Sequence, residues 1–369
     1  MSHSVVLTSN TSWYLYNFRR STIDALVAEG LQVICLSPQD DYSARLVSEL
    51  GAEHIPLPLD GKNTGLRQEL KSLTFIWRTL RSIQPNFVFN FTVKMNIYSG
   101  LACVVLKIPF ANNISGLGTA FIHDSWLFRR VRQVYGLVNK QASHLFFQNE
   151  EDLSVFEKSG LLGGTPVTLL PGSGVDLTRF QASPLPTAGP VTFLMIARLL
   201  GDKGVREYAQ AAGLLKEQGA DVRCQLIGQL GVSNRTAISE AEVESWQAKG
   251  WVDYLGETDD VRPFLQECHA LVLPSYREGM PRTVLEAAAM GRPAIVTDVP
   301  GCRHAIEPDV TGWLCAPRDS DSLATAMKHF MDLASPERQK AGDAARERME
   351  DFFSENLVVN AYLSCLQQN

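Results

Sequence analysis

The 369-residue chain has no run of about 18 apolar residues, so no transmembrane helix is expected. The start, MSHSVVLTSN, lacks a basic segment followed by an apolar one, so no signal peptide is expected either. The seven cysteines (35, 103, 224, 268, 302, 315 and 365) never form a C-x-x-C pair. They read as single buried thiols in a reducing compartment. The seven histidines form no H-x-H or H-E-x-x-H, which argues against a metal site. There is no Walker A loop, no G-x-G-x-x-G fingerprint and no G-x-S-x-G elbow. Their absence weighs against P-loop nucleotide hydrolysis, NAD binding and a hydrolase serine. A net charge of −6 makes nucleic acid an unexpected partner.

What is present alternates. Apolar segments of strand length recur at 5–9, 33–37, 55–59, 87–91, 109–114, 145–148 and 167–171. A Pro/Gly/Ser-rich stretch follows at 171–190. The pattern then restarts at 191–197, 222–228, 252–255, 270–273, 294–297 and 313–315. Amphipathic stretches such as 20–29, 150–158, 205–218 and 320–333 lie between the strands. This is an α/β chain of two Rossmann-like domains facing a cleft. The expected domains are 1–172 and 191–349, joined by a linker at 173–190. A last helix at 350–369 is expected to cross back to the first domain.

The stretch LPSYREGMPRTVLEAAAMGRPAIVTD (273–298) concentrates chemistry. Residues 270–275 read as a strand, Pro281 suits the first turn of a helix, and Gly291 suits its end. Glu278 falls in the loop at the carboxyl end of a strand. Glu286 lies about 7.5 Å along the helix from Pro281 at about 1.5 Å per residue. Helix N-termini at that sheet edge hold phosphate. Carboxylates on either side of a phosphate suit hydroxyls instead, such as those flanking the diphosphate of a nucleotide-sugar. The plainer alternative makes Glu286 a solvated helix residue and Glu278 a surface loop charge.

Ile196–Gly204 (IARLLGDKG) leaves the first strand of the second half with Arg198 and Lys203 around a glycine turn. Two cations there suit a diphosphate and the charge developing on a departing one. Asp319-Ser320-Asp321 has a D-x-D shape that could hold a metal, but it precedes an amphipathic run and reads as a helix cap. His144 and His269 stand beside apolar strands and read as structural; so, less clearly, does His123.

In the first half, three loops after strands carry aromatic and amide side chains: 10–20 (NTSWYLYNFRR), 91–98 (FTVKMNIY) and 112–119 (NNISGLGT). Flat apolar faces beside donors and acceptors suit a sugar. Trp13, Tyr14, Asn17, Lys94, Asn96, Asn113, Ser115 and Gly116 are the candidates to bind an acceptor. Residues 1–172 hold 15 Lys and Arg against 13 Asp and Glu; the rest holds 19 against 27. Basic and aromatic residues mix at 62–81 and 125–140, which suits an anionic membrane surface, or two amphipathic helices packed on a sheet.

Taken in order, Arg198…Lys203-Gly204, Glu278-x7-Glu286 and the PGSGVD segment at 171–176 resemble family 4 glycosyltransferases of GT-B fold. The segments YNFRRS (16–21), ISGLG (114–118) and SYREGMPRT (275–283) resemble bacterial enzymes that extend lipid-linked oligosaccharides for O-antigen, capsule or N-glycan assembly. The resemblance implies a retaining, metal-independent transferase with no cofactor. It would move a hexose or N-acetylhexosamine from a UDP-sugar to an undecaprenyl-diphosphate-linked saccharide. It would act peripherally at the cytoplasmic face of the cell membrane. Glu278 would contact the donor sugar and Glu286 the ribose, and Arg198 and Lys203 would hold the diphosphate. Gly279, Met280, Pro281 and Thr283 would lie beside the donor, with Tyr254 and Gly256 along the base. Catalysis would rest on Glu278, Arg198 and Lys203. Many members carry a histidine in the loop matching 112–118; here Asn113 and Ser115 are the candidates to take its place. A UDP-sugar 2-epimerase of the same architecture and a non-catalytic nucleotide-sugar-binding subunit are the competing readings.

Overall fold

The computed structural model describes residues 3–59, 66–116, 126–232, 234 and 236–368. The chain divides into two compact units, Met1–Ser173 with Asn356–Asn369, and Gly174–Glu355.

Unit 1 is built on a seven-stranded sheet in the order β3-β2-β1-β4-β5-β6-β7. The strands are β1 (Ser4–Thr8), β2 (Gln32–Ser37), β3 (Glu53–Pro56), β4 (Phe87–Phe91), β5 (Phe110–Ile114), β6 (His144–Phe147) and β7 (Val167–Leu169). All pairings are parallel. Strands buried on both faces need apolar residues throughout, which is why they read as continuous runs. The two-residue period sorts them into two cores. Val6, Ile34, Val88 and Phe110 face one side. Val5, Leu7, Val33, Phe87 and Phe89 face the other. The helices are α1 (Ser12–Ala28), α2 (Ser43–Ser48), α3 (Leu66–Ile83), α4 (Val93–Leu106), α5 (Trp126–Asn139) and α6 (Glu150–Lys158).

Two expected loops are helical instead. Helix α1 begins at Ser12 because Thr11 caps it, accepting the Tyr14 N–H, and Leu15, Arg19, Thr22, Ile23 and Leu26 form one buried stripe. Trp13, Tyr14 and Asn17 therefore sit in the first turns of a helix. Helix α4 likewise takes in Lys94 and Asn96.

Unit 2 has a six-stranded parallel sheet in the order β10-β9-β8-β11-β12-β13. Its strands are β8 (Val191–Ile196), β9 (Val222–Ile227), β10 (Asp253–Tyr254), β11 (Ala270–Leu273), β12 (Ala294–Thr297) and β13 (Gly312–Cys315). Its helices are α7 (Val205–Glu217), α8 (Glu240–Ala248), α9 (Arg262–Glu267), α10 (Arg282–Ala289), α11 (Ser320–Asp332) and α12 (Ser335–Phe352). Residues 174–190, expected as a linker, fold with this unit. Val175 and Phe180 enter its core, and the fully buried Arg292 guanidinium donates to the Ser183 and Pro184 carbonyls. The last helix, α13 (Glu355–Gln367), supplies Val358, Tyr362 and Cys365 to a core of unit 1. Just before this helix, Ser354 forms a parallel bridge with Val175.

All seven cysteines are free and buried. Asp319 caps α11, accepting the Ser322 N–H at 2.8 Å. His269 accepts the Thr192 N–H at 3.1 Å, and His144 meets the Thr168 hydroxyl at 2.8 Å. Burial lowers the pKa of both, as suits neutral structural imidazoles. His123 lies outside the described residues.

Candidate functional site

In an open parallel sheet, ligands bind outside the carboxyl ends of the strands where the winding direction reverses. In unit 2 that point lies between β8 and β11. The loop after β8 carries Arg198 and Lys203, and the loop after β11 carries Glu278. The structure brings these two loops together.

Lys203 Nζ donates to Glu278 Oε1, and Ser275 Oγ donates to the same oxygen at 2.6 Å. The Tyr276 N–H donates to the Asp202 carbonyl at 2.9 Å, a backbone tie between the loops. Gly204 has φ 74°, and a Cβ there would stand 2.1 Å from the Pro274 carbonyl. Only glycine lets the two loops approach this closely. Arg198 is exposed, and its guanidinium has no side-chain partner among the described residues.

Helix α10 starts one residue later than expected. Pro281 is its N-cap, so the first helical amide belongs to Arg282. Gly279, Met280 and Thr283 line the entrance half-buried. Glu286 is the fifth residue of α10 and is only 8 % exposed. This excludes the solvated-helix alternative. Arg282 Nε donates to Glu286 Oε1 at 2.7 Å, one turn away. Burial pushes the Glu286 pKa up, opposed by the Arg282 and Arg179 charges. A buried carboxylate with one cationic partner suits a ligand that donates further hydrogen bonds.

Tyr254 and Gly256 lie at the end of the edge strand β10, two strands from β8. Tyr254 Oη donates to the Gly228 carbonyl at 2.8 Å, and the Gly228 N–H donates to the Gly256 carbonyl at 2.9 Å. Their backbone is thereby shaped, and their half-buried surface stays available.

In unit 1 the reversal lies between β1 and β4. Trp13 is 45 % exposed there, its ring edge-on to Phe18, with Tyr14 stacked on Phe18. Asn17 Nδ2 donates to the Trp13 carbonyl. Lys94 is ion-paired with Glu69 at 2.8 Å, and Tyr98 donates to the same carboxylate at 2.7 Å. Asn96 and Asn113 are buried. Asn96 Nδ2 donates to the Asn113 carbonyl and to Tyr135 Oη, while Asn113 Oδ1 accepts from Tyr362 Oη. The framework takes the Asn96 amide nitrogen and the Asn113 amide oxygen, while Asn96 Oδ1 is buried without a partner among the described residues. Ser115 and Gly116 remain half-buried at the strand end; the rest of that loop, 117–119, lies outside the described residues. Thr92, with φ 74°, turns β4 into α4 in a conformation that L-residues rarely adopt.

Sequence reasoning missed Ser275, Arg282 and Glu69. The first two had a signal: Ser275 lies three residues before Glu278, and Arg282 four before Glu286, on the same helix face. Glu69 had none, because its partner comes from another helix.

Two Rossmann-like units with parallel sheets of this strand order make a GT-B fold. Residues 178–348 match the family model for glycosyl transferases group 1. It is 28 % identical over 95 % of its length, and 94 % of the relative's, to the N,N'-diacetylbacillosaminyl-diphospho-undecaprenol alpha-1,3-N-acetylgalactosaminyltransferase of Campylobacter jejuni. It is 24 % identical, over 73 % of both chains, to the UDP-Gal:alpha-D-GlcNAc-diphosphoundecaprenol alpha-1,3-galactosyltransferase of Escherichia coli. Among solved structures it resembles Anabaena HepE in complex with UDP, with a TM-score of 0.80 at 16 % identity and full coverage of both chains.

Proposed function

We propose that this glycosyltransferase moves a hexose or N-acetylhexosamine, with retention, from a UDP-sugar to a saccharide carried on undecaprenyl diphosphate. The observation that carries the reading is the junction of Lys203 and Glu278 at the unit 2 reversal, with Glu286 buried in the helix that follows. The names of the two curated relatives support the acceptor class, and the second supports a UDP-linked donor.

Glu286 takes the ribose hydroxyls, for which its one-sided pairing leaves acceptor capacity. Arg198 and Lys203 hold the diphosphate. An ammonium has three donors, and Lys203 uses one of them on Glu278, so two remain for phosphate oxygens. As the glycosidic bond breaks, negative charge grows on the leaving diphosphate, and these cations together with the α10 N-terminus stabilise it. The leaving phosphate oxygen takes the acceptor proton on the same face of the sugar, so no protein base is needed and configuration is kept. Metal is not required in this scheme: turnover unchanged by EDTA supports it, and loss of turnover restored by Mg²⁺ or Mn²⁺ counts against it.

The acceptor's lipid brings the enzyme to an anionic membrane. Helix α3 packs on α4, and α4 on α5. Leu70, Val105 and Leu137, one from each, are 62 %, 69 % and 65 % exposed. Lys71, Arg78, Arg81, Arg129 and Arg130 are exposed on the same helices. Among the described residues no helix is long and apolar enough to cross a membrane.

The first test is a thermal-shift panel of UDP, GDP, ADP and CMP, then the matching nucleotide-sugars. A shift with UDP, enlarged by one UDP-sugar, supports the reading and names the donor. No shift with any of them overturns the assigned site.

A further inference from the structure

Glu278 is fixed more completely than contact with a sugar alone would need. Its backbone is clamped. The Glu278 N–H donates to the Pro300 carbonyl at 3.3 Å, and Gly301, with φ 83°, packs so closely that a Cβ would lie 2.3 Å from the Glu278 carbonyl. Its side chain is held from two directions, yet both donors, Lys203 Nζ and Ser275 Oγ, fall on one oxygen, Oε1. Oε2 takes no hydrogen bond from the described residues. Ser275 is itself wholly buried, and Thr297 Oγ1 of β12 donates to its carbonyl. The hydroxyl that reaches Glu278 is therefore not a mobile surface group.

We propose that Ser275 is a positioning residue that fixes which carboxylate oxygen of Glu278 meets the donor, and thereby the choice of donor sugar. This rests on the reading of Glu278 as the donor-sugar contact. With Oε1 doubly occupied, the remaining acceptor capacity points one way, through Oε2. Sugars that differ in the orientation of one hydroxyl then differ in whether that hydroxyl reaches a fixed acceptor. Lys203 alone would leave the carboxylate free to rotate about its last bond, because an ammonium follows either oxygen equally well. The serine hydroxyl supplies the second, directional restraint.

The test measures binding of UDP, UDP-N-acetylgalactosamine, UDP-galactose and UDP-glucose to the full chain by calorimetry. The variants are Ser275→Ala, Ser275→Cys (which keeps the volume but gives up the strong donor) and Glu278→Gln, each with its melting temperature. Both Ser275 variants are expected to bind UDP within about twofold of wild type. Each should lose about tenfold in affinity for the preferred UDP-sugar, the size of one hydrogen bond to a charged group. The ratio between preferred and disfavoured sugars should fall toward one. Wild-type ratios in both Ser275 variants, with Glu278→Gln still losing them, overturn the proposal and leave the site standing. Loss of UDP affinity together with a large fall in melting temperature also overturns it, by making Ser275 a framework residue only. Wild-type ratios in Glu278→Gln remove the underlying reading of the site, and the proposal with it.

Discussion

The two units share a parallel sheet and a winding reversal, yet they spend their polar residues differently. At the unit 1 reversal the polar side chains turn inward. Thr8 donates to Asn90, Asn90 to Asn112 and Asn112 to Asn139, each at 2.9 Å, and all four are fully buried. At the unit 2 reversal they stay charged, partly exposed and aimed at one place. An amide ladder can pass its bonds inward, because each amide is both donor and acceptor, and here only the end of the chain, Asn139 Nδ2, is left without a partner among the described residues. A carboxylate can only accept, so Glu278 and Glu286 each keep capacity that a ligand's hydroxyls can use. A strand end built of neutral amides that bond one another makes framework; one that gathers charged groups with bonding capacity left over can make a site.

The largest effect should come from Glu278→Gln. Transfer should drop by about a hundredfold or more, measured as UDP release with acceptor present. Undiminished turnover would show that unit 2's charged cluster is as structural as unit 1's amides.

Glu286→Gln should raise the donor KM by about tenfold, the scale of hydrogen bonds to a charged group, with a smaller change in kcat. Its pH dependence is sharper still. Burial raises the Glu286 pKa, so the folded state disfavours the charged form. Stability from this residue is then greatest at low pH and declines as pH rises through the raised value. Donor affinity runs the opposite way, falling as pH drops through it, because the ionised form is the acceptor. Melting curves of Glu286→Gln should be flatter with pH over that window. An unchanged slope would place the cost elsewhere.

Asn112→Leu should cost about 1–3 kcal/mol by orphaning its buried partners, read by urea unfolding. UDP affinity per folded molecule should not change. Asn96→Ala and Asn113→Ala sharpen the contrast. Loss of stability marks them as framework; full stability with a raised acceptor KM would restore them as acceptor contacts.

The smallest expected effect is at the surface. Neutralising any one of Arg129, Arg130 and Arg132 should weaken binding to anionic vesicles several-fold, at about 1 kcal/mol per basic residue near the surface. Binding that stays the same would leave α5 as an ordinary packed helix.

Much of this was legible in the chain. The thirteen strands of the described residues were readable, because the central parallel strands, covered on both faces, are mostly apolar and the edge strands follow in the same alternation. That Lys203 and Glu278 stand at neighbouring strand ends was readable, because charge is conspicuous among such strands. The first turns of α1 and α4 were not: aromatic and amide residues there resemble a loop until a cap and a buried stripe are considered together. Nor was the inward turn of Asn96 and Asn113. An amide in a motif looks the same whether its partner is a ligand or a neighbouring strand, and Tyr362, which holds Asn113, is 249 residues away.

That distance has a consequence for how the protein is made. Unit 2 is one continuous stretch, 174–355, whereas unit 1 needs residues from both ends of the chain. During synthesis the N-terminal sheet emerges first, but its core lacks Val358, Tyr362 and Cys365 until α13 has been made. Domains that fold as units normally do so in order of emergence. Here the later half can finish first, and the earlier half waits, apolar face uncovered, for α13 to emerge.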